Sequence, residues 1–128
     1  MIDHVSIAVR DLAAGGRFYE AVLAALGYSK LVSRPGTIGF GKKYPEFWLN
    51  ERRGMTPVDP DSGTHICLRA SDIAAVEAFH AAAVQAGGKS DGAPGRRPEY
   101  SAGYYAAFVR DPEGNRIEAA TFSKAARA

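Results

Sequence analysis

Polar and apolar residues alternate in the opening segment Ile2–Val9. Val5, Ile7 and Val9 lie on one face of an extended chain, and His4, Ser6 and Ala8 lie on the other. Asp11 then stands where a helix N-cap belongs, and the spacing of Leu12, Phe18, Val22 and Leu26 predicts a helix over 12–26. Gly27 suits the left-handed position that ends it. Short apolar runs predict strands at 28–33, 37–41 and 46–50, with turns at Pro35-Gly36 and Lys42–Pro45. The same order then returns. Thr64–Ala70 alternates Ile66, Leu68 and Ala70 against His65, Cys67 and Arg69. Asp72 caps a helix expected over 73–86, with Ile73, Val76, Phe79 and Ala83 on one stripe. Strands follow at 89–92, 103–110 and 115–122, and Asp111–Asn115 (DPEGN) forms the last turn.

The recurrence is an internal repeat. Residues 3–27 align with 64–88 without a gap, at an offset of 61. His4 falls on His65, Asp11 on Asp72, Phe18 on Phe79 and Gly27 on Gly88. Each copy reads βαβββ. The 128 residues therefore divide into one module at 1–50, a Pro- and Gly-rich linker at 51–63, a second module at 64–122 and a tail at 123–128. Residues 91–102 read as a loop inserted in the second copy only. A four-stranded sheet with a helix on one face leaves its other face to be covered or used. Two such units are expected to form an α+β fold, a curved eight-stranded cup whose polar faces line a cavity.

Parity puts His4 and His65 on the cavity side at equivalent places. In the last strand Glu118 projects opposite Ile117, again toward the cavity. Two imidazoles and a carboxylate make a facial metal triad with positions left open for substrate. The expected cofactor is a divalent ion: manganese, iron, nickel or zinc. Ser6 and Cys67 lie two residues beyond the histidines. If residues 110 and 116 pair, Tyr104, Ala106 and Phe108 share Glu118's face; a bulge at Gly114 would present Tyr105, Ala107 and Val109 instead. Trp48, Tyr104 and Phe108 form an aromatic lining, and Arg69 is placed to meet an acidic substrate. Arg96, Arg97 and Tyr100 lie on the inserted loop, which could cover the pocket. His80 falls on the second helix and reads as a surface residue.

The segments DHVSIAVRDL, THICLRA and YYAAFVRDPEGNRIEA resemble the vicinal oxygen chelate superfamily, which includes glyoxalase I, the bleomycin and fosfomycin resistance proteins and the extradiol dioxygenases. The resemblance covers about residues 2–122 and implies the paired βαβββ cup. It implies His4, His65 and Glu118 as metal ligands. A fourth family position falls on Trp48, which cannot bind a metal; Glu46 would need a register slip to replace it.

Composition narrows the partners. The 46% hydrophobic and 23% charged content excludes wholesale disorder, and the net charge of +2 has no basic run to demand a nucleic acid or an anionic membrane. The single cysteine excludes an internal disulfide and fits a reducing, cytoplasmic compartment. MIDHVSIAV lacks the basic leader of a secretory signal. The expected function is a metal-dependent enzyme that chelates two oxygens of a small substrate, as lyase, isomerase, transferase or dioxygenase. The alternative is a non-catalytic protein of the same fold that sequesters a drug or aromatic metabolite. Small relatives often pair, so a homodimer is expected, with or without exchanged modules.

Overall fold

The computed structural model describes residues 1–122; the expected tail at 123–128 lies outside the described residues. The first half builds β1 (Val5–Val9), α1 (Leu12–Ala24), β2 (Ser29–Arg34), β3 (Thr37–Gly41) and β4 (Pro45–Glu51). The second builds β5 (Ile66–Arg69), α2 (Ile73–Gln85), β6 (Lys89–Arg96), β7 (Tyr105–Arg110) and β8 (Arg116–Thr121). Both helices start on the aspartates that the pattern marks. Asp11 accepts from the Ala14 amide and Asp72 from the Ala75 amide, which satisfies one free N–H at each helix start.

The eight strands form two mixed sheets, β1-β4-β3-β2 and β5-β8-β7-β6. In each, the first strand runs parallel to the last and the other pairs are antiparallel. The chain thus has the expected α+β architecture of two βαβββ modules, with no ladder joining the two sheets among the described residues. The halves instead share one core on their helical sides. Phe18, Val22 and Leu23 of α1 and Val76, Phe79 and Ala83 of α2 belong to the same buried cluster as Phe47 and Leu49 of the first sheet and Val109 and Ile117 of the second. Removing this apolar surface from water is the main stabilising term.

The DPEGN turn does more than reverse the chain. Asp111 is 4% exposed and accepts from the Tyr19 hydroxyl of the other half at 2.7 Å, and from its own turn's Glu113 and Asn115 amides. Glu113 accepts from the backbone and guanidinium of Arg10, both at 2.8 Å. The turn thus locks the second half onto the end of β1 and the side of α1.

Three expectations need correction. Thr64 and His65 precede β5 instead of opening it. The strand expected at 89–92 continues through residues read as loop: β6 runs to Arg96, with register shifts around Gly92 and Gly95 that absorb its irregular composition. It is an edge strand, so Pro94 interrupts no central ladder. At the N-terminus, Ile2–His4 precede β1 instead of opening it, because the pairing with β4 begins at Val5 and Phe47. No helix of the described residues is long and apolar enough to cross a membrane.

Candidate functional site

Arg110 pairs with Arg116 across the last hairpin, so the hairpin carries no bulge and the first of the two parity alternatives holds. Cys67, Glu118 and Phe108 stand in register on three adjacent strands, on one face. The core takes the opposite face through Ile66, Leu68, Val109 and Ile117. Glu118 is only 2% exposed although the strand beside it is open, because side chains close over it. His65 Nε2 lies 3.0 Å from Oε1, and the Tyr104 hydroxyl donates to Oε2 at 2.5 Å. Both carboxylate oxygens are therefore engaged. Burial and the neighbouring Glu118 charge push the Cys67 thiol up to about 12, so it is protonated at neutral pH. Burial and the bond to Glu118 also raise the Tyr104 phenol. It stays a donor.

The segment after β6 folds onto this face. Tyr104 meets Tyr100 and Phe122 edge-on at 5.2 and 4.9 Å. The Arg97 guanidinium lies 5.5 Å from the Phe108 ring, and Phe108 in turn lies over Gly92, where a Cβ would come within 3.0 Å of its ring. Arg69 stacks on Phe122 at 4.8 Å.

The first sheet repeats this design with different chemistry. Ser6 is in register with Trp48, and Trp48 with Gly39. Ser6 and Cys67 are repeat mates, so Trp48 occupies the place that Glu118 takes in the second half. Its ring lies across Gly39, where a Cβ would come within 2.9 Å, and Arg34 sits 5.9 Å from the ring. His4 is exposed and bonds the neighbouring Asp3 carboxylate at 2.7 Å.

The structure therefore brings together His65, Cys67, Tyr104, Phe108 and Glu118, with Arg69 beside them. It leaves Ser6 and Trp48 on the other sheet and His4 just before that sheet's first strand. Among the described residues of one chain, no three His, Cys, Asp or Glu side chains gather where they could hold a metal ion. His65 and Glu118 alone make a two-donor pair, joined by a hydrogen bond of 3.0 Å. His80 bonds the Ser90 hydroxyl at 2.7 Å near the surface and ties α2 to β6. Residues missed by sequence reasoning are Asp91, Arg110 and Arg116. The last two share Glu118's face by the same alternation that placed Phe108 there, so the signal was present. Cavities of about 260 and 220 Å³ open on either side of His65, and Arg116 borders both.

Comparison with known proteins agrees with this architecture. The model of the Glyoxalase/Bleomycin resistance protein/Dioxygenase superfamily matches residues 1–119. A glyoxalase/bleomycin resistance protein from Albidiferax ferrireducens T118 is 29% identical, with a TM-score of 0.82 over 92% of this chain and 96% of that one. A glyoxalase/bleomycin resistance protein/dioxygenase family enzyme from Burkholderia phytofirmans PsJN is 19% identical, with a TM-score of 0.72 over 95% and 98%. A V278E glyoxalase I mutant from Zea mays is 24% identical, with a TM-score of 0.69; it matches 91% of this chain but 44% of that one. No curated protein matches the chain by sequence.

Proposed function

Because the chain belongs to the Glyoxalase/Bleomycin resistance protein/Dioxygenase superfamily, which includes enzymes, we propose that it is a metal-dependent enzyme acting on a small oxygen-rich molecule, and that its working form is a homodimer. The carrying observation is the paired donors His65 and Glu118, held 3.0 Å apart on the polar side of the second sheet, with the repeat-equivalent His4 exposed just before β1 of the first. One chain supplies two donors of the three. A second copy with exchanged modules would supply His4, setting the first sheet's polar face against the second sheet's. Bound there, a divalent ion such as manganese, iron, nickel or zinc would act as a Lewis acid toward two adjacent substrate oxygens. The chain's own residues do the rest. Tyr104 holds the Glu118 carboxylate in one orientation. Phe108 and Trp48 give the pocket apolar walls, and the protonated Cys67 adds a small neutral surface.

The second reading is a binding protein without chemistry. It is favoured by Trp48 at the fourth-ligand place and by the incomplete donor set within one chain. Metal content of protein purified without chelator separates the two. The enzyme reading expects a bound divalent ion that is lost in His4→Ala and in Glu118→Ala. Mixing those two variants then tests the shared site. With exchanged modules, each mixed dimer regains one intact site of two, so about a quarter of wild-type metal returns at statistical mixing. Return of no metal places all three ligands in one chain. No metal in the wild type, with ligand binding intact in both variants, sinks the enzyme reading.

A further inference from the structure

Beside His65 lies a cluster that the metal reading does not use. Asp91 on β6 sits between two guanidiniums, with Arg110 Nε at 3.4 Å and Arg116 Nε at 3.6 Å. Both distances exceed the ~2.7–2.9 Å of a well-made charge-assisted bond. Two cations share one carboxylate, which leaves one positive charge in excess. The Nε of Arg116 is moreover buried without any hydrogen-bond partner. A buried donor left unpaired is costly, and a cationic one more so. Asp91, Arg116 and His65 line the same cavity of about 220 Å³, together with Tyr100 and Phe108. Arg116 is two residues from Glu118 on the same strand face, roughly 7 Å along the strand.

We propose that Arg110 and Arg116 form a subsite for an anionic oxygen group, a carboxylate or a phosphate, of the molecule bound at His65 and Glu118. The substrate class is then a small acid whose charged group lies a few bonds beyond its metal-chelating oxygens. A planar carboxylate or a phosphate matches the guanidinium fork and supplies an acceptor within hydrogen-bond distance, which Asp91, 3.6 Å from Arg116 Nε, does not. Asp91 holds the two arginines in place until it arrives. The location of the substrate rests on the metal-site reading; the anion site itself does not.

The test is a titration of the metal-free protein with inorganic phosphate and, separately, with succinate at constant ionic strength, followed at the arginine Nε–H resonances. Saturable shifts confined to Arg110 and Arg116 are expected. Arg116→Gln should weaken binding about tenfold, and Arg110→Gln, as an independent variant, should weaken it similarly. Asp91→Asn should tighten binding several-fold, while Asp61→Asn, an equal charge change in the linker, should leave it unchanged. The tighter of the two probes identifies the substrate's acidic group. Small non-saturating shifts spread over many arginines, or binding indifferent to both Arg variants, overturn the proposal. Anion binding as expected in a protein that takes up no metal would remove the enzyme reading and leave this subsite standing. Metal uptake without saturable anion binding would do the reverse.

Discussion

Glu118 has both carboxylate oxygens occupied, one by His65 and one by Tyr104, and the second contact is the one a substitution can remove cleanly. Tyr104→Phe keeps the ring against Tyr100 and Phe122 and deletes only the hydroxyl. The carboxylate then turns more freely, and an outer partner of a metal ligand is typically worth about 10–100-fold in affinity. Competition with a chromophoric chelator should show that loss with a nearly unchanged melting temperature. Equal metal affinity would make Tyr104 a packing residue. How much of this was legible beforehand differs atom by atom. Alternation along 104–118 places Tyr104 on Glu118's face, and the repeat pairs His4 with His65. The bond between the phenol and the carboxylate was not legible. Tyr104 precedes β7, so its side-chain direction follows from the turn at 101–103 and from two aromatic neighbours, which no periodicity encodes. Asp91 was hidden for a different reason: it fell where the expected strand at 89–92 overlapped the expected loop at 91–102, so its face could not be read.

That stretch shows what periodicity reads at the level of elements. Regular strands and helices emerge within a few residues of their observed ends, because one face of each is buried and imposes a two- or 3.6-residue period. β6 carries Gly92, Pro94 and Gly95, pairs on one edge only, and shifts register twice, so its composition looks like a turn. Contacts between elements are equally silent in the pattern. Gly88 is aligned by the repeat with Gly27, which ends the first helix. In the structure it is also where α2, β7 and α1 converge. A Cβ there would come within 2.7 Å of the Arg110 carbonyl, 2.7 Å of the Phe18 ring and 3.0 Å of the Ala83 carbonyl. Two of those neighbours are backbone, of β7 and of α2, and cannot step aside. Gly88→Ala should destabilise the fold by about 2–3 kcal/mol in denaturant titration. Gly54→Ala, with nothing within 4 Å of the added carbon, should be close to neutral. Equal stability of the two variants would mean that α2 ends with more room than this packing allows.

The whole molecule is held together on its helical side, and the DPEGN turn is the polar part of that joint. Glu113 accepts from the Arg10 guanidinium and from the Arg10 and Asp11 amides. Burial alone would raise its carboxyl; the Arg10 and Asp11 donors outweigh burial and hold it below the ordinary value of 4.5. A carboxylate with a lowered folded pKa contributes stability that is fully present above its unfolded pKa and is lost as pH falls through the folded one. Glu113→Gln should therefore cost about 1–2 kcal/mol at neutral pH, from weaker bonds to the same donors. The difference from wild type should stay constant from about pH 8 down to about pH 5, then shrink below about pH 4 as the wild-type carboxyl protonates. Because both halves share one buried cluster, unfolding should remain a single transition in either protein. A difference that persists unchanged at pH 2 would assign Glu113's role to packing. A second transition in Glu113→Gln would mean instead that the turn, and not the helix pair, makes the two halves fold as one.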